Sequence, residues 1–253
     1  MPKNINSAYR IREVLNSVKS KPDNTPAHEI WAEVFSIEES DQNRKNVSIS
    51  RCLADLHDEV ELVREEMLKL GYSENLYNSS LKKCNAVFAV QSIMGQWKGP
   101  KQQVTPEVPV ALGFCSEILP NEEDLIDEAN LDELRVMASD LRASLTESNL
   151  PVYTKNIIEK HLNKIDDAIL KYKVVGAKAL EEVMQSAYGE VIVSEAVFEE
   201  ARGSEEVGKL SAMWQKTKLV LDGVVDTNKR IGAMQGMAEK GQKVIEFLEN
   251  FNV

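Results

Sequence analysis

The sequence predicts an all-α fold: antiparallel helical hairpins packed as a bundle, in two helical subdomains (1–98 and 121–253) joined by a Pro-rich apolar strap over 99–120. Three observations carry that prediction. Between Leu150 and Ala187 an apolar stripe (Ile158, Leu162, Ile165, Ile169, Tyr172) returns to one helical face at spacings of mostly four and three. Between Val47 and Leu70 the spacing of Ile49, Leu53, Leu56, Val60, Val63, Met67 and Leu70 alternates four and three throughout. Four of the eight prolines, Pro100, Pro106, Pro109 and Pro120, fall between these two patterns.

Taken in order, residues 5–19 form a first helix with Ile11, Val14, Leu15 and Val18 inward. SKPDNTP breaks it, and Thr25 with Pro26 supplies the N-cap and first position of a short helix holding Ile30, Trp31, Val34 and Phe35. The heptad helix stops at Gly71, and a further helix over Asn75–Gln96 follows too closely for anything but a hairpin. The strap 99–120 is too apolar at Val108, Val110, Leu112 and Phe114 to remain in water, so irregular or briefly extended packing is expected there, and any strand belongs there. Asn121 caps a helix from Glu122 to about Thr146. Gly176, on the buried stripe of the next helix, reads as a close-packing point in one long, kinked helix more than as a left-handed stop. A helix over Leu180–Ala201 follows, and the last 50 residues carry helical spacing through Leu210, Trp214, Leu221, Val225, Ile231, Met234, Val244, Leu248 and Phe251, with five glycines that place breaks near Gly223 and between Gly232 and Gly241.

Composition narrows function by exclusion. The chain has 43% hydrophobic residues and 28% charged, which suits an ordinary globular core. No apolar leader opens it and no window is apolar enough to span a membrane. Its three cysteines, Cys52, Cys84 and Cys115, sit in no C-x-x-C, which fits buried thiols in a reducing, cytoplasmic setting. Of the net charge of −11, residues 101–150 contribute −8, with 3 basic against 11 acidic residues. That balance disfavours a nonspecific grip on nucleic acid and favours a basic partner.

Side-chain chemistry clusters at few places. Arg51 and His57, in RCLADLH, resemble the Arg-x(4–6)-His signature of the HEPN superfamily of all-helical, often dimeric ribonucleases. The resemblance covers seven residues, departs from the commoner form at Cys52 where a polar residue is usual, and implies that Arg51 and His57 handle a scissile phosphate. The plainer reading of both is a polar flank to the heptad seam. Acids crowd the same helix, but Glu-x-x-His, HExxH and zinc-type cysteine spacings are absent, so no metal and no cofactor is expected. GAMQGMAEKGQK (232–243) has the glycine gap of a phosphate loop without its Lys-Ser/Thr or its preceding strand, and close helix packing explains it better. His161 reads as a polar flank of the core. The remaining feature is EILPNEEDLIDEANLDE (117–133), with eight acids, no base and interleaved apolar residues. It reads as a first-turn and solvated acidic face, or as a docking edge in which Glu122, Glu123, Asp124, Asp127 and Glu128 steer a basic partner.

The sequence therefore points to a non-enzymatic cytoplasmic protein-interaction or scaffold module, self-associating as a homo-oligomer through Leu53, Leu56, Val60, Val63 and Met67 or through the C-terminal helices. Two alternatives stand beside it: an acidic antitoxin, immunity or defence-accessory subunit covering a basic partner, and a HEPN-like helical RNase using Arg51 and His57.

Overall fold

A computed structural model describes residues 4–224 and Glu246. Among the described residues the fold is all-α, with eleven α-helices and no strand; one isolated bridge joins Pro26 and Gln96. No described helix is long and apolar enough to cross a membrane. The chain divides into two compact units, the first holding residues 1–122 and 173–176, the second 123–172 and 177 onward.

Unit 1 opens with α1 (Ser7–Lys19) and α2 (Ala27–Phe35), followed by α3 (Gln42–Lys69), the longest described helix. Gly71, at φ +78°, ends α3: its N–H reaches the Leu68 carbonyl at 2.9 Å and that of Tyr72 reaches Met67 at 3.2 Å, closing the last orphan carbonyls. The helix expected over 75–96 is three pieces, a 3-10 turn at Glu74–Leu76, α4 (Asn78–Val87) and a second 3-10 turn at Val90–Met94. Its break after Phe88 returns the chain to Trp97, so that Phe88 and Trp97 both close on Trp31, the two indoles 5.4 Å apart and nearly perpendicular.

After the four-residue α5 (Lys98–Lys101), the segment expected to be irregular or extended forms α6 (Glu107–Ile118). Pro106 sits at its N-cap and Pro109 in its first turn, where the missing N–H groups have no intrahelical acceptor to lose. Val108, Ala111, Leu112 and Cys115 then form an inward face one helical period apart, against α1, α3 and α4. Asn6 ties the two ends together. Fully buried, it accepts the Tyr9 N–H as the N-cap of α1 and donates to the carbonyls of Ser116 at 3.0 Å and Leu119 at 3.2 Å.

Unit 2 consists of α7 (Glu128–Glu147), α8 (Val152–Val175, its end counted with unit 1), α9 (Lys178–Val193), the short α10 (Glu195–Glu200) and α11 (Glu205–Val224). The cross-links run antiparallel around a ring. Arg142 of α7 meets Glu159 and Asp166 of α8, Lys160 and Lys164 of α8 meet Glu190 of α9, and Lys216 of α11 meets Glu133 of α7. α9 packs on α11 to complete a four-helix arrangement.

Gly176 corrects the reading of 150–187 as one kinked helix. Its φ is +72°, α8 stops at Val175, and α9 starts at Lys178, so the glycine is a left-handed stop. A Cβ in that conformation strains the backbone, and Gly176→Ala is expected to lose more than about 1 kcal/mol in urea denaturation. A loss of only a few tenths would show that the turn adapts.

Candidate functional site

Among the polar residues buried on helices, three carry a guanidinium, carboxylate or imidazole: Arg10 on α1, Glu59 on α3 and His161 on α8. The first two answer each other. Arg10 Nη2 lies 2.8 Å from Glu59 Oε2 and 2.7 Å from Glu122 Oε2, and its Nε donates to the Val174 carbonyl at 3.1 Å. Ser7 completes the group, its hydroxyl 3.2 Å from Glu122 Oε1. Four stretches distant in sequence meet on one guanidinium, an arrangement of fixed, satisfied charges suited to holding unit 1 together.

His161 is different, because nothing in the structure satisfies it. The side chain has no exposed surface, lies among Ile158, Leu162 and Ile165, and meets the Trp214 indole of α11 edge-on at 5.7 Å. Neither ring nitrogen has a hydrogen-bond partner. Nε2 faces Glu190 Oε2 at 3.9 Å, beyond hydrogen-bonding distance, and that oxygen is itself buried and unpartnered. Glu190 is turned away by its lysines: Lys160 at 2.6 Å and Lys164 at 2.7 Å both hold Oε1. Burial pushes the imidazole down to about 4, with Lys164 and Lys160 adding to the shift and Glu190 opposing it. At Glu190 burial raises the carboxyl, but the hydrogen bonds from Lys160 and Lys164 outweigh it and hold the group below its ordinary value. Thr154 Oγ1, two turns before His161, and Ser211 Oγ and Trp214 Nε1 on α11 are likewise buried without partners. The chemistry available to a neutral imidazole so placed is proton uptake. The neighbouring hydroxyl of Ser186 is exposed and held by Lys164 at 2.6 Å.

No family model, curated protein or solved structure matches the chain.

The residues singled out from the sequence are dispersed. Of the five acids of the 117–133 edge, Glu122 belongs to the Arg10 group, and Glu123, buried, accepts the Ala177 N–H at the start of α9. Asp127 caps α7 through the Ala129 N–H, with Glu128 in the first turn 3.7 Å from Arg135. Asp124 is exposed beside Leu125. Engagement of Glu122 and Glu123 in these bonds accompanies the start of α7 at Glu128 and not at Glu122, while Asn121 accepts the Ile5 N–H at 2.6 Å.

Arg51 and His57 lie six residues apart on α3, hence about 120° apart around it. Arg51 is exposed, whereas His57 is half-buried, its Nδ1 3.0 Å from the Asn85 amide oxygen and its ring edge-on to Phe88. Leu53, Leu56, Val60, Val63 and Met67 have no exposed surface, since α3 is covered by α1, α2, α4 and α6 of the same unit. As a second-copy interface that seam would have to open first. All three cysteines are buried, and burial raises the thiols of Cys84 to about 12 and Cys115 to about 11. Among the described residues no group of three or more His, Cys, Asp and Glu could hold a metal. The glycine-spaced segment 232–243 and Val225, Ile231, Met234, Val244, Leu248 and Phe251 lie outside the described residues.

Arg10, Glu59, Glu190 and Glu123 were not legible as a set, and His161, expected at the flank of the core, sits inside it. Two of the three stripe residues left a local signal: His161 is three residues after Ile158 and four before Ile165, and Glu59 is three after Leu56 and four before Val63.

Proposed function

We propose that this chain is a non-enzymatic, cytoplasmic helical interaction module that associates with a second copy of itself through the outer face of α6. The observation that supports this is the apolar character of α6 on both sides. Its inner face is buried, yet Val110 is 71% exposed and Phe114 36% exposed, with Phe114 in edge contact with the half-buried Tyr72 at 5.8 Å. A helix apolar around most of its circumference calls for cover on all sides. On this outer face Val110 and Phe114 form an apolar centre one turn apart, with the exposed acids Glu107 and Glu117 at its two ends, the apolar-core and polar-rim pattern of a two-fold contact.

Light scattering across a concentration series tests the proposal. The parent chain is expected to pass from monomer to dimer, and the double replacement Val110→Glu with Phe114→Glu to remain monomeric with unchanged helix content. A parent that stays monomeric at every concentration would sink it. Neither protein should turn over RNA.

The reading as an acidic subunit covering a basic partner draws on one specific feature, Leu125, 59% exposed between the exposed Asp124 and the buried Ile126. It predicts a heterocomplex whose association rate falls when Asp124, Asp127 and Glu128 are neutralised. The HEPN-like reading rests on Arg51 and His57 alone and predicts RNA cleavage lost in His57→Ala.

A further inference from the structure

We propose that His161 is an acid-sensitive latch: protonation of its buried ring breaks the packing of α8 on α11 and opens the four-helix arrangement of unit 2. This goes beyond self-association through α6, which lies in unit 1, and stands or falls separately.

The geometry supplies the device. A neutral imidazole fits between Ile158, Leu162, Ile165 and Trp214 as an apolar ring would, at the standing cost of two unpaired nitrogens. A charged one does not fit. On α8 the charged groups beside it are Lys160 and Lys164, which repel it; on α9 the one carboxylate, Glu190, is 3.9 Å away with its other oxygen shared by those lysines. α11 presents Trp214, a side chain without charge, and the charge through which α7 meets α8, Arg142, is taken up by Glu159 and Asp166. Two ammoniums and one carboxylate leave the surroundings net positive. A proton added there is stabilised only if the Glu190 carboxylate, with the lysines on its other oxygen, closes the 3.9 Å to the ring or if water reaches it, and either disturbs the packing of α8 on α9 and α11.

The direction in pH follows. In the unfolded chain His161 titrates at its ordinary 6.5, and in the folded unit burial, opposed by Glu190 and reinforced by Lys164 and Lys160, brings it to about 4. The unfolded chain therefore binds more protons between those values. The contribution of the neutral ring is fully present above 6.5 and is lost as pH falls toward 4. Between pH 7.5 and 5 the opening equilibrium of unit 2 rises roughly 30-fold. Opening uncovers Leu162, Ile165 and Trp214, an apolar surface available for binding only in acid. The other two histidines, His28 and His57, are only half-buried.

Hydrogen exchange of the full chain followed by mass spectrometry, corrected for the intrinsic pH dependence of exchange, reads this directly. In the parent, uptake in peptides covering 154–172 and 205–221 is expected to rise on going from pH 7.5 to 5, and in His161→Met, which fills the same space without titrating, to stay level. An equal rise in His161→Met overturns the proposal. Should that variant not fold, NMR of histidine-labelled parent protein decides. The His161 ring is expected to stay neutral through pH 5 and to protonate only as protected amide signals disappear; titration near 6.5 in the folded chain overturns it.

Discussion

Replacing Arg10 with Met is expected to destabilise unit 1 by about 3–5 kcal/mol, the range for stripping one partner from a buried ion pair. The loss comes from what remains. Glu59, 4% exposed on α3, is left in the core with the nearest cation gone, and the Val174 carbonyl loses a donor. Glu122 matters less, because its side chain is 37% exposed and can turn to water. Arg10→Lys should recover part of the loss: an ammonium restores the charge but cannot reach Glu59, Glu122 and Val174 together as the planar fork does. The decisive comparison is Arg10→Met with Glu59→Leu. Removing both charges leaves an apolar contact of similar volume, so the double variant is expected to regain most of the stability lost by the single one. Urea denaturation followed by the fluorescence of Trp31 and Trp97 measures both, and a double variant as weak as the single would show that packing, not charge, sets the cost.

The same ion group shows where sequence reading stops. Helix faces are local, set by a period of about four residues, so the inward positions of α1, α3, α7 and α8 could be read directly. What fills a stripe position when the residue is polar is not local: Arg10 needs Glu59, Glu122 and Val174, up to 164 residues away. A single polar residue on a stripe therefore announces a buried polar group without naming its partner. α6 failed to read as a helix for a different reason. Its prolines read as breakers in the sequence, whereas Pro106 at the N-cap and Pro109 in the first turn are compatible with the helix that follows. At Gly176 two meanings of glycine competed, close packing and a left-handed stop, and only the backbone dihedral separates them. The acids of 117–133 form a continuous charge run in sequence, yet Glu122 and Glu123 are spent on internal bonds, Glu122 within unit 1 to Ser7 and Glu123 within unit 2 to Ala177. Charge density along a sequence counts residues; availability depends on where each carboxylate ends.

Replacing Leu56 with Asp is expected to abolish cooperative folding of unit 1, and Leu56→Ala to cost about 2–5 kcal/mol. The heptad of α3 is what makes this prediction discriminating. If the seam joined two copies, an Asp at its centre would leave a folded monomer. Here Leu56 has no exposed surface, with Leu53, Val60 and Val63 on the same seam equally covered, so a carboxylate placed there meets no partner and no water. A heptad suits this intrachain role for a geometric reason. α3 runs 28 residues, about 42 Å at 1.5 Å per residue, far longer than α1, α2, α4 or α6, of 13, 9, 10 and 12 residues. No one of them can cover it. A strict four-three repeat keeps the seam straight along one side of α3, so that successive short helices dock on a continuous apolar track. Circular dichroism and size exclusion on Leu56→Asp should show loss of the unit 1 helices while those of unit 2 persist. A folded Leu56→Asp monomer with full helix content would instead place the seam between copies and return self-association to α3.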